Sequence, residues 1–258
     1  MAGDRHAFVS GPDFLFQKPF GNQLYYGGLM TAFHPLDCAA WSALNGRHAR
    51  FAFARGGARR YDSAYGVFAA VGDRSEASLA DLGALIAEYG DVALLEADPP
   101  VDVPGVVVAS QAIGVQMIAA GLTRGGSPEV EIVPLGDVDA AEMLVLATLT
   151  EPGPFFARTH QLGDFFGVRV DGQLVAMAGE RMKPNGFTEV SGVCTHPDHR
   201  GRGYAGALMR RVAGRILDRG EVPFLHAYAS NRGAIALYET LGFTLRREVL
   251  MTRLTRAD

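Results

Sequence analysis

Two arginines and two glycines alternate at residues 200–203, directly before a segment with helical periodicity. Gly201 and Gly203 leave backbone N–H groups unshielded. The first turn of the following helix adds N–H groups that have no helical partner, together with the positive end of the helix dipole. Arg200 and Arg202 add guanidinium groups, which bind phosphate oxygens through paired hydrogen bonds. These residue types in this order predict a pyrophosphate site that needs no metal ion.

Two other phosphate-binding motifs fit this segment less well. The spacing Gly201-x-Gly203-x-x-Gly206 satisfies the dinucleotide fingerprint. That fingerprint, however, needs a strand that runs directly into the first glycine and an acidic residue about 20 positions later. Here residues 195–200 intervene, and the next predicted strand ends in Ser230-Asn231. A P-loop is excluded because no Gly-Lys-Ser/Thr follows.

The elements predicted around this loop alternate between strands and helices. Strands are predicted at 129–135, 165–170, 174–182, 187–195 and 222–229, and helices at 140–149, from Tyr204 to near Gly220, and from the N-cap Asn231 to Gly242. The strand at 187–195 leads into the loop. In the helix after the loop, Tyr204, Leu208, Val212 and Ile216 recur at every fourth position, which predicts one apolar stripe that packs on a sheet.

At these residues the chain resembles the GNAT superfamily of acyl-CoA-dependent N-acyltransferases. The phosphate loop of that family reads Q/R-x-x-G-x-G/A, and this chain has Arg200-x-x-Gly203-x-Ala205 after Val193-Cys-Thr-His-Pro197. A second block, residues 231–243, matches the family at its expected distance downstream. The resemblance covers residues 129–256. It implies a mixed central α/β sheet with flanking helices. The alternation of helix and strand patterns in the first half separately suggests a preceding degenerate α/β domain.

The resemblance also implies acetyl-CoA as co-substrate and a set of residues that bind it. Val193 and Thr195 would bind the pantetheine arm through their backbone, and a main-chain N–H of that strand would polarise the thioester carbonyl. The full predicted cofactor set is Val193, Thr195, Arg200, Gly201, Arg202, Gly203, Tyr204, Ala205, Asn231, Ala234 and Tyr238.

Asn231, Ala234 and Tyr238 lie at i, i+3 and i+7, so they share one helix face. In the family the matching Asn and Tyr face the acyl-CoA arm, and the Tyr lies near the departing thiolate. A phenol of pKa about 10 can protonate a thiolate without being ionised at neutral pH. Tyr238 is therefore predicted to be the catalytic acid. The alternatives are a core aromatic for Tyr238 and a simple helix cap for Asn231.

An amine acceptor must lose a proton, which costs about 4 kcal/mol at neutral pH for an alkylammonium of pKa near 10.4. Glu189 is the first candidate for the catalytic base, because it alternates in phase with Ser191 and Val193 along the cofactor strand. Glu180 and His226 come next. Each also has a structural interpretation: a strand-end charge, an ion-pair partner and a hydrogen-bonded strand histidine, respectively.

Two cysteines, Cys38 and Cys194, lie far apart and predict free thiols with no disulfide framework and no zinc site. Cys194 raises the alternative of a covalent acyl-enzyme. A small buried strand residue is the favoured interpretation, because strand alternation turns it away from Val193 and Thr195.

Composition indicates an intracellular enzyme. Of the 258 residues 48% are hydrophobic, and the net charge of −4 argues against a nucleic-acid partner. With no long apolar run, the sequence predicts no membrane association and a cytoplasmic location.

The Gly-rich segment 121–128 predicts a boundary between an N-terminal α/β domain of residues 1–127 and an acetyltransferase domain of residues 128–258. In the first half we predict a helix at 79–89, strands at 92–95, 106–108 and 115–118, and a solvated turn at 55–60. This half is expected to shape the acceptor site or a homodimer interface. Its aromatic residues Phe14, Phe16, Tyr25 and Tyr26 are expected to be buried in such a contact.

Together with these patterns, the resemblance implies an N-acetyltransferase that acts by direct transfer from acetyl-CoA to a small-molecule or peptide amine. The alternative is an acyl-CoA-binding module without catalysis, used in regulation or assembly.

Overall fold

The computed structural model describes residues 34–98, 102–125 and 129–257. Within these ranges the helices are α1 Ala39–Leu44, α2 Glu76–Tyr89, α3 Ala140–Thr150, α4 Tyr204–Asp218 and α5 Arg232–Leu241. The strands are β1 Ala52–Arg55, β2 Ala58–Tyr61, β3 Ala69–Val71, β4 Val92–Glu96, β5 Val106–Ile118, β6 Val133–Leu135, β7 Phe165–Val170, β8 Gln173–Glu180, β9 Phe187–Thr195, β10 Val222–Tyr228 and β11 Thr244–Arg256.

In the described part of the chain, eight strands form one sheet in the order β4-β11-β5-β10-β9-β8-β7-β6. The pair β9–β10 is parallel, and the other neighbouring pairs of this sheet are antiparallel. The short strands β1, β2 and β3 form a second antiparallel sheet. The predicted mixed central sheet with flanking helices is confirmed.

The helix after the phosphate loop packs on the sheet as its periodicity predicts. Leu208, Val212 and Ile216 of α4 are fully buried in a core that includes Val175 of β8 and Leu225 of β10. Burial of this stripe fixes the rotation of α4 about its axis. The N-terminus of the helix is therefore held at the end of β9.

Several of the predicted strands differ from the structure. The two strands expected at 106–108 and 115–118 are one continuous strand of 13 residues, β5. Pairing with β11 along this length carries the chain through residues of low strand propensity between them. The strand predicted at 129–135 is confined to Val133–Leu135.

The solvated turn predicted at 55–60 is also incorrect in part. The turn itself comprises Gly56 and Gly57 and joins β1 to β2 as a hairpin. Arg60, which the sequence places in the turn, belongs to β2 and is only 1% exposed. Local composition did not reveal this, because the hairpin is covered by residues distant in sequence.

The division into residues 1–127 and 128–258 stays a prediction. Within the described residues, strands from both sides of residue 128 belong to the same large sheet, and β5 lies between β10 and β11. Phe14, Phe16, Tyr25 and Tyr26 lie outside the described residues. In the described ranges no helix combines the length and the apolar character needed to cross a bilayer.

Candidate active site

A cavity of about 740 Å³ opens where β9 and β10 separate. The parallel pairing of these strands ends at Glu189 and Phe224. Beyond that point residues 190–195 of β9 have no strand partner on the β10 side among the described residues, and both strands line the cavity. Backbone groups on the open side of β9 are therefore available to a ligand.

A bulge in β9 accounts for the separation. Ser191 and Cys194 pair with Gly179 and Met177, so two residues of β9 stand opposite one residue of β8. Gly192 within the bulge has φ of +63°, and a Cβ there would lie 3.0 Å from the ring of Phe165. Bulges bend the strand that contains them. Glycine is required here both by the backbone conformation and by the close approach of Phe165.

The phosphate loop adopts the conformation that its glycines allow. Gly201 and Gly203 have φ of +76° and +78°, and Gly203 is the N-cap of α4 without a capping side chain. The first intrahelical bond of α4 runs from the Ala207 N–H to the Gly203 carbonyl, so the preceding N–H groups of the first turn have no helical partner. No acidic side chain lies in this turn. The N-terminus of α4 thus keeps its capacity to bind an anion.

The two loop arginines add positive charge that is not neutralised within the described residues. Arg200 and Arg202 are both exposed and line the cavity. In the described part of the chain neither has a carboxylate within salt-bridge distance, whereas Arg169, Arg181 and Arg219 all have one. Charge and backbone donors therefore coincide at this end of the cavity.

Helix α5 forms the opposite wall through Asn231, Ala234 and Tyr238. The Asn231 Oδ1 accepts a hydrogen bond from the Ala234 N–H at 3.2 Å, which confirms the predicted cap. The Tyr238 ring packs edge-on against Phe243, and no described residue hydrogen-bonds to its hydroxyl. Burial raises the pKa of Tyr238. Its phenol thus stays protonated at neutral pH and retains its proton for donation.

All eleven residues predicted to bind the cofactor line this one cavity. Glu189, the first candidate for the base, does not line it. Its carboxylate is 0% exposed and accepts two hydrogen bonds of 2.8 Å from the guanidinium of Arg181. Burial alone would raise the pKa of Glu189, but Arg181 and His226 hold it well below its usual range. A buried carboxylate paired in this way lacks the access and the basicity that the predicted role requires.

His226 is held between Glu189 and Gln116. The His226 Nδ1 lies 2.8 Å from Glu189 Oε1, and its Nε2 lies 3.0 Å from Gln116 Nε2. The Gln116 amide is oriented because its Nε2 donates to the Leu36 carbonyl and its Oε1 accepts from Arg246. Gln116 therefore presents a donor to His226, which fixes the imidazole tautomer with the proton on Nδ1.

The remaining candidates have structural environments. Glu180 is 1% exposed and pairs with Lys183 and Arg219, both at 2.7 Å, so it has the ion-pair role given as its alternative. Both cysteines are free thiols. Burial raises the pKa of Cys194 to about 11, which leaves a negligible thiolate fraction at neutral pH and supports direct transfer over a covalent acyl-enzyme.

Other cavity residues were not predicted. One signal was present: a lone glycine in a strand, as at Gly192, is typical of a bulge. Arg181 and the residues at the far end of the cavity gave no local signal, because β3, β4, β5 and β11 or the segments beside them bring them together across the sheet. These far-end residues are Phe68, Leu95, Gly114, Val249 and Met251. No group of three or more His, Cys, Asp or Glu side chains that could hold a metal ion occurs among the described residues.

Comparison with known proteins agrees with this geometry. Residues 166–251 match the family model of FR47-like proteins. A solved structure from Novosphingobium aromaticivorans, designated a candidate acetyltransferase of the GNAT family, is 45% identical, with a TM-score of 0.80 over 88% of this chain and 100% of that one. No curated protein sequence matches the chain.

Two more distant structures share the fold. The GCN5-related N-acetyltransferase from Kribbella flavida is 17% identical, with a TM-score of 0.59 over 86% of this chain and 96% of its own. A GCN5-related N-acetyltransferase-like protein from Streptococcus suis is 17% identical, with a TM-score of 0.50 over 85% of this chain and 92% of its own. The identity and coverage of the Novosphingobium structure, on a cavity built from the predicted motif residues, show that the chain belongs to the GNAT superfamily and is an acyltransferase of GNAT type.

Proposed function

We propose that this enzyme transfers an acetyl group from acetyl-CoA to a primary amine by direct attack. The observation that carries the proposal is the convergence of the eleven predicted residues on one cavity with a cationic phosphate loop at one end. The pyrophosphate would lie over residues 200–205, and the pantetheine amides would pair with the free edge of β9 near Val193 and Thr195. The cavity fits this elongated ligand because its walls are β9 and α5 and its cationic end is the loop.

Acetyl-CoA supplies the acetyl group and a thiolate leaving group. A C–N bond forms and the C–S bond breaks, so one proton leaves the amine nitrogen and one is taken up by sulfur. We assign the second proton to Tyr238, and this is supported by its protonated hydroxyl, which has no hydrogen-bond partner among the described residues. The phenolate then regains a proton from solvent. The bulge at Gly192 and Val193 turns backbone out of the β-ladder, where an N–H can polarise the thioester carbonyl.

For the amine proton, we propose His226 as acceptor, with Glu189 as its positioning partner. His226 lines the cavity, and its Nδ1–H is directed to Glu189. The unprotonated Nε2 accepts from Gln116 in the described geometry, so proton transfer requires a water or the amine to replace that donor. In this proposal Glu189 acts indirectly, because it orients His226 and keeps the proton of the neutral imidazole on Nδ1.

The acceptor is a small-molecule or peptide amine, and we propose a cytoplasmic location for the reaction. A non-catalytic acyl-CoA-binding module would need the phosphate loop but not a cavity tyrosine whose hydroxyl has no hydrogen-bond partner among the described residues. Tyr238 therefore favours the enzyme. The test is a panel of amines mixed with acetyl-CoA and a thiol-detecting reagent, with free CoA appearing only in the presence of an acceptor. A folded protein that binds acetyl-CoA and acetylates no amine in the panel would support the module instead.

Substitution of the loop glycine tests the placement of the pyrophosphate. Gly201→Ala adds a methyl group to open space at the loop, and we expect acetyl-CoA affinity to fall about 10-fold or more, the scale of one lost hydrogen bond to a charged group. Gly220→Ala is the matched control, because Gly220 has a similar φ of +74° with equally open space, at the other end of α4. Both variants carry the same backbone strain of about 1 kcal/mol. Equal affinities in calorimetry for the two variants would exclude this placement.

A further inference from the structure

A second cavity of about 730 Å³ adjoins the first. Pro154, Tyr228 and Met251 line both cavities, so the two are separated by shared and largely apolar side chains. The second cavity is bounded by β2, β4, β5 and β11 and by the end of α2. Neither the family motif nor the proposed mechanism uses it.

Arg60 gives this cavity its chemical character. The residue is 1% exposed and lines the cavity. Its Nε donates to the Tyr61 carbonyl at 3.1 Å and its Nη1 donates to the Gly90 carbonyl at 2.7 Å. Within the described residues its Nη2 has no hydrogen-bond acceptor, and no carboxylate lies within salt-bridge distance of the guanidinium. Buried charges are ordinarily paired, since an unpaired one is costly to desolvate.

Arg181 is a buried arginine of similar exposure that does have a carboxylate partner. It is 7% exposed, and its guanidinium binds Glu189 through two hydrogen bonds of 2.8 Å. In the wall of this cavity the carboxylate is that of Asp91, and it is not free to do the same. Asp91 already pairs with Arg253 at 2.9 Å and accepts from Thr255 at 2.7 Å.

The charge balance of the wall follows from its ionisable residues. The cavity is lined by the guanidinium groups of Arg60 and Arg253 and by the carboxylate of Asp91. Among these wall residues one positive charge is left over, and it belongs to Arg60, although Asp62 outside the wall also attracts this guanidinium. An oxygen acceptor with a single negative charge would complement the free Nη2.

We propose that the second cavity binds a carboxylate of the acceptor, whose amine reaches the first cavity past the apolar side chains of Pro154 and Met251. The acceptor class is then an amino carboxylate in which an apolar spacer separates the two groups, such as an ω-amino acid. This inference rests on the proposed N-acetyltransfer, because it assigns the two ends of one acceptor.

The test compares straight-chain ω-aminocarboxylates of increasing length with alkylamines of the same carbon number. For at least one length, the wild-type enzyme should acetylate the carboxylate with a kcat/KM about 10-fold or more higher, the scale of one charged hydrogen bond. Arg60→Met should bring this ratio close to one, and Arg60→Lys should restore part of it. The control is Arg59→Met, since Arg59 is the neighbour in β2 and lies outside both cavity walls.

Binding of the N-acetylated products separates this inference from the proposed reaction. Calorimetry on wild-type protein should detect the acetylated ω-aminocarboxylate and a much weaker, or no, signal from the matching N-alkylacetamide. Absence of any acetylated product in the kinetic test would reject the proposed function, whereas equal binding of charged and neutral products would overturn the carboxylate site. This measurement needs no Arg60 variant, so it decides the question even where Arg60→Met fails to fold.

Discussion

Replacement of Tyr238 by phenylalanine should lower kcat by about 10²-fold or more, the scale of one general acid, with little change in acetyl-CoA affinity. The physical reason is that the substitution removes only the hydroxyl, whose proton would otherwise neutralise the departing thiolate. The ring contact with Phe243 is retained. Burial raises the pKa of Tyr238, so the acid form persists across the neutral range and activity should not fall through titration of this group below pH 10. The measurement is kcat at saturating acetyl-CoA, in single-turnover experiments where chemistry is rate-limiting.

Tyr65→Phe is the control for Tyr238→Phe. Tyr65 lies outside both cavity walls, and its hydroxyl contacts only Arg158 at 3.4 Å within the described residues. This variant should retain wild-type kcat. An unchanged kcat in Tyr238→Phe would return Tyr238 to the role of a packing residue.

Substitution of Glu189 should have a large effect on stability. Glu189→Gln leaves the buried Arg181 guanidinium without its counter-ion, and breaking a buried pair in this way costs about 3–5 kcal/mol. The free energy of unfolding, measured with a denaturant, should fall by that amount. Glu248→Gln, the same change at an exposed carboxylate of β11, should alter it by less than about 0.5 kcal/mol.

The Arg181–Glu189 pair also predicts an acid dependence. The pKa of Glu189 is lower in the folded state than the value near 4.3 of an unfolded chain. Its contribution is therefore present above about pH 4.3 and is lost as the pH falls towards the folded pKa. Glu189→Gln should lack this part of the acid sensitivity. In the double variant Arg181→Met, Glu189→Gln the free energy of unfolding should fall by less than the sum of the two single losses. Neither side chain is then left as a buried charge without its partner. Additive losses would show that the two side chains are not coupled.

The sequence predicted those parts of the site whose chemistry depends on consecutive residues. The loop at 200–203 needs only glycines, arginines and a helix N-terminus, and α5 needs only its cap at Asn231 and the spacing to Tyr238. Both are set by local geometry that a sequence displays directly. For the same reason the apolar stripe of α4 was recognised, since its period is that of an isolated helix.

Properties that depend on residues distant in sequence were not predicted. From the sequence, Glu189 is predicted to be a carboxylate near the start of a strand. Only the tertiary fold brings Arg181 and His226 into contact with it. Arg60 reads as a turn residue beside two glycines, and only the packing of β2 buries it. The length of β5 likewise follows from pairing with β11, which begins more than a hundred residues later. In each case long-range contacts outweigh local propensity.

We expect the acetyl group to pass directly from acetyl-CoA to an amine within the cavity lined by β9 and α5. A single-turnover experiment with acetyl-CoA labelled in its acetyl group, followed by mass spectrometry of protein and small molecules, tests it most directly. We predict that the label appears on the amine nitrogen in step with free CoA, and that no labelled protein, including any acylated at Cys194, accumulates. Label retained on the protein, or acetyl-CoA bound at one per chain without transfer to any amine, would contradict the account.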